Sequence, residues 1–110
     1  MSKEKGDIAE KKAVSFLKTL NFEIIKTNFF AKKLGEIDII ALKNDVYHFI
    51  EVKSANDYET ATNNLNSSKL SKIKRSVNYY IQTNDIKSPY CIDAIIVVDD
   101  LVEFLENITM

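Results

Sequence analysis

With 110 residues, 45% of them hydrophobic and 28% charged, the chain has room for one globular domain with a modest core and not for two. No apolar run approaches transmembrane length and nothing near the N-terminus reads as a signal region, so a cytoplasmic protein without a membrane partner is expected. The lone Cys91 excludes an intramolecular disulfide and supplies no metal-binding cluster, which argues against zinc, and the net charge of −1 argues against a simply basic nucleic-acid binder.

Residues 1–6 are polar and expected to fray. From Asp7 the apolar residues Ala9, Ala13, Phe16, Leu17 and Leu20 recur every three or four positions, the pattern of an amphipathic helix that stops near Asn21. Glu10 has two readings. Asp7-Ile8-Ala9-Glu10 fits a capping box, which alone would account for it. It also lies on the rim of the apolar face, in line with Ala13 and Leu17, where it could look along a sheet.

Phe22 to Phe29 reads as a first strand with Phe22 and Ile24 inward, and residues 30–34 as a short connection. Lys32 and Lys33 there fit a solvated basic turn better than a phosphate contact. Gly35 to Ala55 is a β-hairpin, two apolar runs flanking Lys43-Asn44-Asp45. Asn and Asp both tolerate positive φ, so Asn44-Asp45 serves as a two-residue turn. Facing residues then have numbers that sum to 89. Asp38 falls opposite Glu51, and Glu36 opposite Lys53, all on one face. Tyr47 and Phe49 share that face, whereas His48, Ile50 and Val52 point to the other. An isolated strand histidine is more often packed than ligating, and His48 is given no role.

Residues 55–66 are polar and Asn/Thr-rich, read as a mobile loop beside the hairpin's open end. A second helix is expected from Ser67 to Gln82, with Leu70, Ile73, Val77, Tyr80 and Ile81 at core spacing and Ser67 or Ser68 as N-cap. Lys69, Lys72 and Arg75 recur along it every third residue. This is the densest positive cluster in the chain, and contact with a phosphate backbone is favoured over a merely solvated edge. Tyr90 to Val98 is strongly β, with Cys91 a small buried or half-buried residue. Leu101 to Ile108 carries both helical and strand periodicity.

The hairpin's charges call for an explanation. Like charges opposed in a ladder are unfavourable by ~0.2–1 kcal/mol, and Asp and Glu are poor strand residues. Converging carboxylates make sense if a divalent cation neutralises them, and oxygen donors suit Mg²⁺ or Mn²⁺. The plainer reading is a Glu36–Lys53 surface pair with Asp38 and Glu51 in water.

These same residues resemble the PD-(D/E)xK nuclease signature, Asp38 being the first acid and Glu51-Val52-Lys53 the second element. Gly6, Glu10, Ala13, Asn28, Gly35-Glu36-Ile37-Asp38 and Glu51-Val52-Lys53 together resemble the YraN family of small predicted endonucleases, related in fold to archaeal Holliday-junction resolvases. The resemblance covers almost the whole chain. It implies an α/β fold of the restriction-endonuclease type, a mixed β-sheet with flanking helices in the order α-β-β-β-α-β and a final strand. It favours the strand reading of residues 101–108. It also implies Mg²⁺-dependent hydrolysis of phosphodiester bonds, with DNA as the expected partner. Asp38, Glu51 and Glu10 would hold the metal, and Lys53 would assist the attacking water. Glu36 would support Lys53, and Lys69, Lys72 and Arg75 would grip the nucleic acid. Asp93 also has a counterpart in that family, for which a structural role is expected rather than metal ligation. The resolvase relatives are dimeric, which leaves room for a homodimer. Three departures stand out: no proline precedes Asp38, Ser54-Ala55 follows Lys53 where a basic residue is common, and the net charge is negative. They admit a second function, a catalytically silent nucleic-acid-binding module of the same fold.

Overall fold

A computed structural model describes the backbone of residues 3–109 and the side chains of residues 6–109. In chain order the elements are α1 (Lys3–Thr19), β1 (Glu23–Phe30), β2 (Glu36–Lys43), β3 (Val46–Ser54), α2 (Tyr58–Asn63), α3 (Ser67–Thr83), β4 (Tyr90–Val98) and β5 (Leu101–Leu105). The five strands form one sheet in sequence order. Pairing is antiparallel except between β3 and β4, which run parallel and are joined through α2 and α3. This is the mixed α/β sheet with flanking helices expected from the sequence.

Each face of the sheet has its own core. Ala9, Ala13 and Leu17 of α1 pack on Phe22, Ile39, Ala41, Ile50, Val52, Ile95 and Val97. On the opposite face Ile73, Val77 and Tyr80 of α3 pack on Ile37, Ile40, Phe49 and Ile92. Burial on both faces explains why the middles of β2, β3 and β4 are apolar without strict alternation.

Local signals explain most boundaries. α1 ends in a Schellman motif: Asn21 takes φ 68°, its N–H donates to Lys18 O, and the Phe22 N–H donates to Leu17 O. Asn44 and Asp45 take φ 51° and 65°, the positive pair a two-residue hairpin turn requires.

Three expectations need correction. α1 begins before Asp7, so Lys3 to Gly6 belong to the helix, and Asp7 cannot cap it; Met1 and Ser2 lie outside the described residues. The segment read as a loop contains α2, capped by Asp57, which accepts from the Thr60 N–H at 2.8 Å. The cap of α3 is Asn66, one residue before the expected serines, accepting from the Lys69 N–H at 3.0 Å.

Candidate active site

The hairpin opens where its chemistry begins. β2 and β3 pair from Lys43↔Val46 to Ile39↔Ile50, each pair summing to 89 as expected. Beyond Ile39 this ladder ends and each strand keeps only its outer neighbour: Glu36 pairs with Phe30 of β1, and Lys53 with Ile96 of β4. The carboxylate of Asp38 enters the gap, its Oδ2 accepting the Val52 N–H at 2.8 Å. An acidic side chain therefore takes the place of a ladder hydrogen bond.

Into this gap converge Glu36, Asp38, Glu51 and Lys53 from the sheet, with Lys69 and Lys72 from α3. They line a cleft of about 260 Å³ together with Gly35, Ile73 and Ser76. Gly35 adopts φ +145°, and a Cβ there would meet Ser76 Oγ at 3.0 Å. Its missing side chain lets α3 lie close to the start of β2, which carries Lys72 over the carboxylates.

The expected Glu36–Lys53 pair does not form. Lys53 Nζ lies instead 3.2 Å from Glu51 Oε1, both side chains largely buried at 19% and 16% exposure. Diverging strands account for this, because Lys53 follows β3 away from β2.

Burial and crowding of like charges set the ionisation of the cleft. Burial pushes the Glu51 carboxyl up to about 7, and the neighbouring Asp38 pushes in the same direction against the pull of Lys53. Asp38 is also raised, again chiefly by burial, although the Val52 N–H and Lys53 favour its ionised form. Glu51 and Asp38 are within hydrogen-bonding reach of each other. Glu36 is raised by burial and by Asp38. Lys69 is lowered, first by the charge of Lys53, so two ammonium groups face the same space.

A pH dependence follows. Glu51 ionises near 7 when folded and near 4.5 when unfolded, so between these values the folded chain holds the extra proton. Without a cation, stability contributed by this group is greatest below about pH 4.5 and is lost as pH rises through 7. Thermal melts in chelator should therefore fall from pH 5.5 to pH 8, and Glu51→Gln should flatten that difference. An unchanged slope in the variant would show that Glu51 is not its source.

Glu10 stands outside the cleft, in a separate hollow between α1 and β1, near enough to feel the charges of Asp38 and Glu36. On α1 it accepts a 2.7 Å hydrogen bond from Asn28 Nδ2, from a residue of β1 held at φ 54°. Its carboxyl is raised by burial most of all, with Asp38 and Glu36 adding repulsion and Asn28 opposing. The capping-box account of Glu10 falls with the earlier helix start. Arg75 is exposed on α3 and does not line the cleft, unlike Lys69 and Lys72. Lys32 sits over the Tyr79 ring at 5.9 Å.

The sequence reading missed a second cluster. His48, Cys91 and Asp93 come together on β3 and β4, so Cys91 does take part in a group of metal-ligating type. The signal lies in the parallel register, which no local pattern reveals.

Comparison with known proteins gives one consistent result. The model of a family described as "Uncharacterised protein family UPF0102" matches residues 9–97. A "UPF0102 protein" of Aliarcobacter butzleri (strain RM4018) is 74% identical over 110 residues, the whole of both chains. A "UPF0102 protein" of Sulfurimonas denitrificans is 46% identical, again over all of both chains. One from Helicobacter pylori (strain J99) is 50% identical over 97% of this chain and 92% of its own.

Proposed function

The chain belongs to the uncharacterised protein family UPF0102, and from that membership and the cleft together we propose a metal-dependent nuclease that hydrolyses phosphodiester bonds of DNA, structured or branched forms included. One observation carries the reading. Two adjacent, largely buried carboxylates are both held above their ordinary pKa, Glu51 at about 7, and only Lys53 of the three lysines in the cleft is in ion-pair contact with either. Buried charge without adequate partners is costly, and a hard divalent cation is the partner that all-oxygen donors select.

Asp38 and Glu51 would hold Mg²⁺ or Mn²⁺, with the Val52 carbonyl and solvent completing the oxygen shell and Glu10 acting as a further ligand, directly or through water. Mg²⁺ bound there would polarise a phosphoryl oxygen and lower the pKa of a bound water. Every other step belongs to the chain. Lys53, tethered to Glu51, orients the attacking water and stabilises charge developing on the phosphate. Lys69 and Lys72 neutralise the strand backbone on the α3 side and carry no sequence information. Arg75 would add attraction from outside the cleft. Glu36 adds negative charge beside Asp38 and strengthens the demand for a cation.

The decisive experiment incubates the protein with branched, flapped and single-stranded DNA in Mn²⁺, Mg²⁺ or chelator. Cleavage that requires the metal is expected. Binding that is indifferent to chelator and weakened by Lys69→Ala and Lys72→Ala, with no product from any substrate, would replace the nuclease with a binding module.

A further inference from the structure

Near the start of β3, on the face away from the carboxylates, a different set of donors meets. The parallel register places His48 beside Cys91, and Asp93 follows on the same face of β4 two residues later. His48 Nδ1 lies 2.6 Å from Asp93 Oδ2 and 3.1 Å from Cys91 Sγ, and Sγ lies 3.7 Å from the same carboxylate oxygen. Asp93 is wholly buried, His48 nearly so, and Cys91 half-exposed.

The arrangement is wrong for a nucleophile. A Cys–His–acid relay needs the thiol and the acid on opposite ring nitrogens, so that one proton can pass along the line. Here both meet Nδ1 most closely. Burial pushes the Cys91 thiol up to about 12, and the charges of Asp93 and Glu106 add to the effect. The thiol is protonated at neutral pH, and a reactive thiolate is not available.

A cation resolves the same facts. The triangle defined by the three distances has its equidistant point about 1.9 Å from each atom, so an ion slightly out of the plane reaches bond lengths of ~2.0–2.3 Å. We infer that His48, Cys91 and Asp93 form a site for a borderline transition-metal ion of the Zn²⁺ type, with its fourth position open on the exposed side of Cys91. Sulfur, nitrogen and one carboxylate oxygen select such an ion over Mg²⁺. On binding, the Cys91 proton leaves to solvent, the proton shared between His48 Nδ1 and Asp93 gives way to the metal so that the neutral ring keeps its one proton on Nε2, and the thiolate and carboxylate balance the double charge. The other oxygen of Asp93 is already held by the Asn107 N–H at 2.8 Å, which fixes the carboxylate's orientation. The ion would thus tie β3 and β4 to the segment that follows β5.

Cobalt(II) tests this directly, because only a thiolate ligand gives an intense sulfur-to-metal charge-transfer band and Cys91 is the sole cysteine. One equivalent of Co²⁺, added to the whole protein with a phosphine reductant, is expected to produce that band. Zn²⁺ should erase it, Cys91→Ser should lack it, and Glu51→Gln should keep it. A wild type that shows no band overturns the site, whatever the variant does. So does a Zn²⁺-induced rise in melting temperature that Cys91→Ser retains in full. Either failure leaves the nuclease reading of the carboxylate cleft intact.

Discussion

Asp38→Asn is expected to abolish both divalent-ion stabilisation and DNA cleavage while leaving the fold as stable as before or more so. The asparagine oxygen can still accept the Val52 N–H that Asp38 Oδ2 now accepts at 2.8 Å, so the open end of the hairpin keeps its plug. What disappears is a buried negative charge that the fold disfavours, Asp38 being raised above its ordinary pKa by burial. A ligand worth several kcal/mol of transition-state stabilisation corresponds to roughly 10³-fold or more in rate. Mn²⁺ and Mg²⁺ titrations followed by melting would show a saturable shift in the wild type and none in the variant. With its charged neighbour gone, Glu51 should also titrate closer to the ordinary carboxylate range. Equal stabilisation of both proteins by metal would remove Asp38 from the ion's shell.

Lys53→Met separates chemistry from metal binding. Methionine keeps most of the aliphatic stem and removes the ammonium 3.2 Å from Glu51. Cleavage should fall by about 10²–10³-fold, the usual effect of losing one preorganised group that stabilises developing charge. Metal should still bind at pH 8. The attraction that opposes the upward shift of Glu51 will be gone, so more alkaline conditions should be needed to load the ion. Lys69→Ala offers the contrast, weakening substrate binding and its salt dependence more than turnover. Loss of metal affinity in Lys53→Met at every pH would instead make Lys53 a structural partner of the carboxylates.

How much of this was legible depended on how local each signal is. The Asn44-Asp45 turn and the apolar runs around it determine a register, and from it the meeting of Asp38 with Glu51. The Glu36–Lys53 pair failed because register holds only while strands stay paired, and β3 leaves β2 after Ile50 while its pairing with β4 continues to Ser54. Glu10 was ambiguous for a similar reason. Whether Asp7 caps a helix depends on where the helix starts, and the polar residues Lys3 to Gly6 carry no apolar periodicity to announce it. α2 is a single capped turn and a half with only Ala61 buried, too short for a periodic pattern. The His48–Cys91–Asp93 group is the clearest case: its members lie 43 and two residues apart in sequence, and only a parallel pairing completed through α3 joins them.

That parallel pairing also bears on how the molecule assembles. Every other strand contact joins sequence neighbours across short turns, and such contacts close quickly. Docking β4 on β3 must first close the loop of residues 55–89, which makes it the natural late event of folding. The His48–Cys91–Asp93 cluster depends on that event, because β4 carries two of its three members. An ion bound there should therefore slow unfolding far more than it hastens folding, a signature that the two arms of a denaturant chevron would report separately.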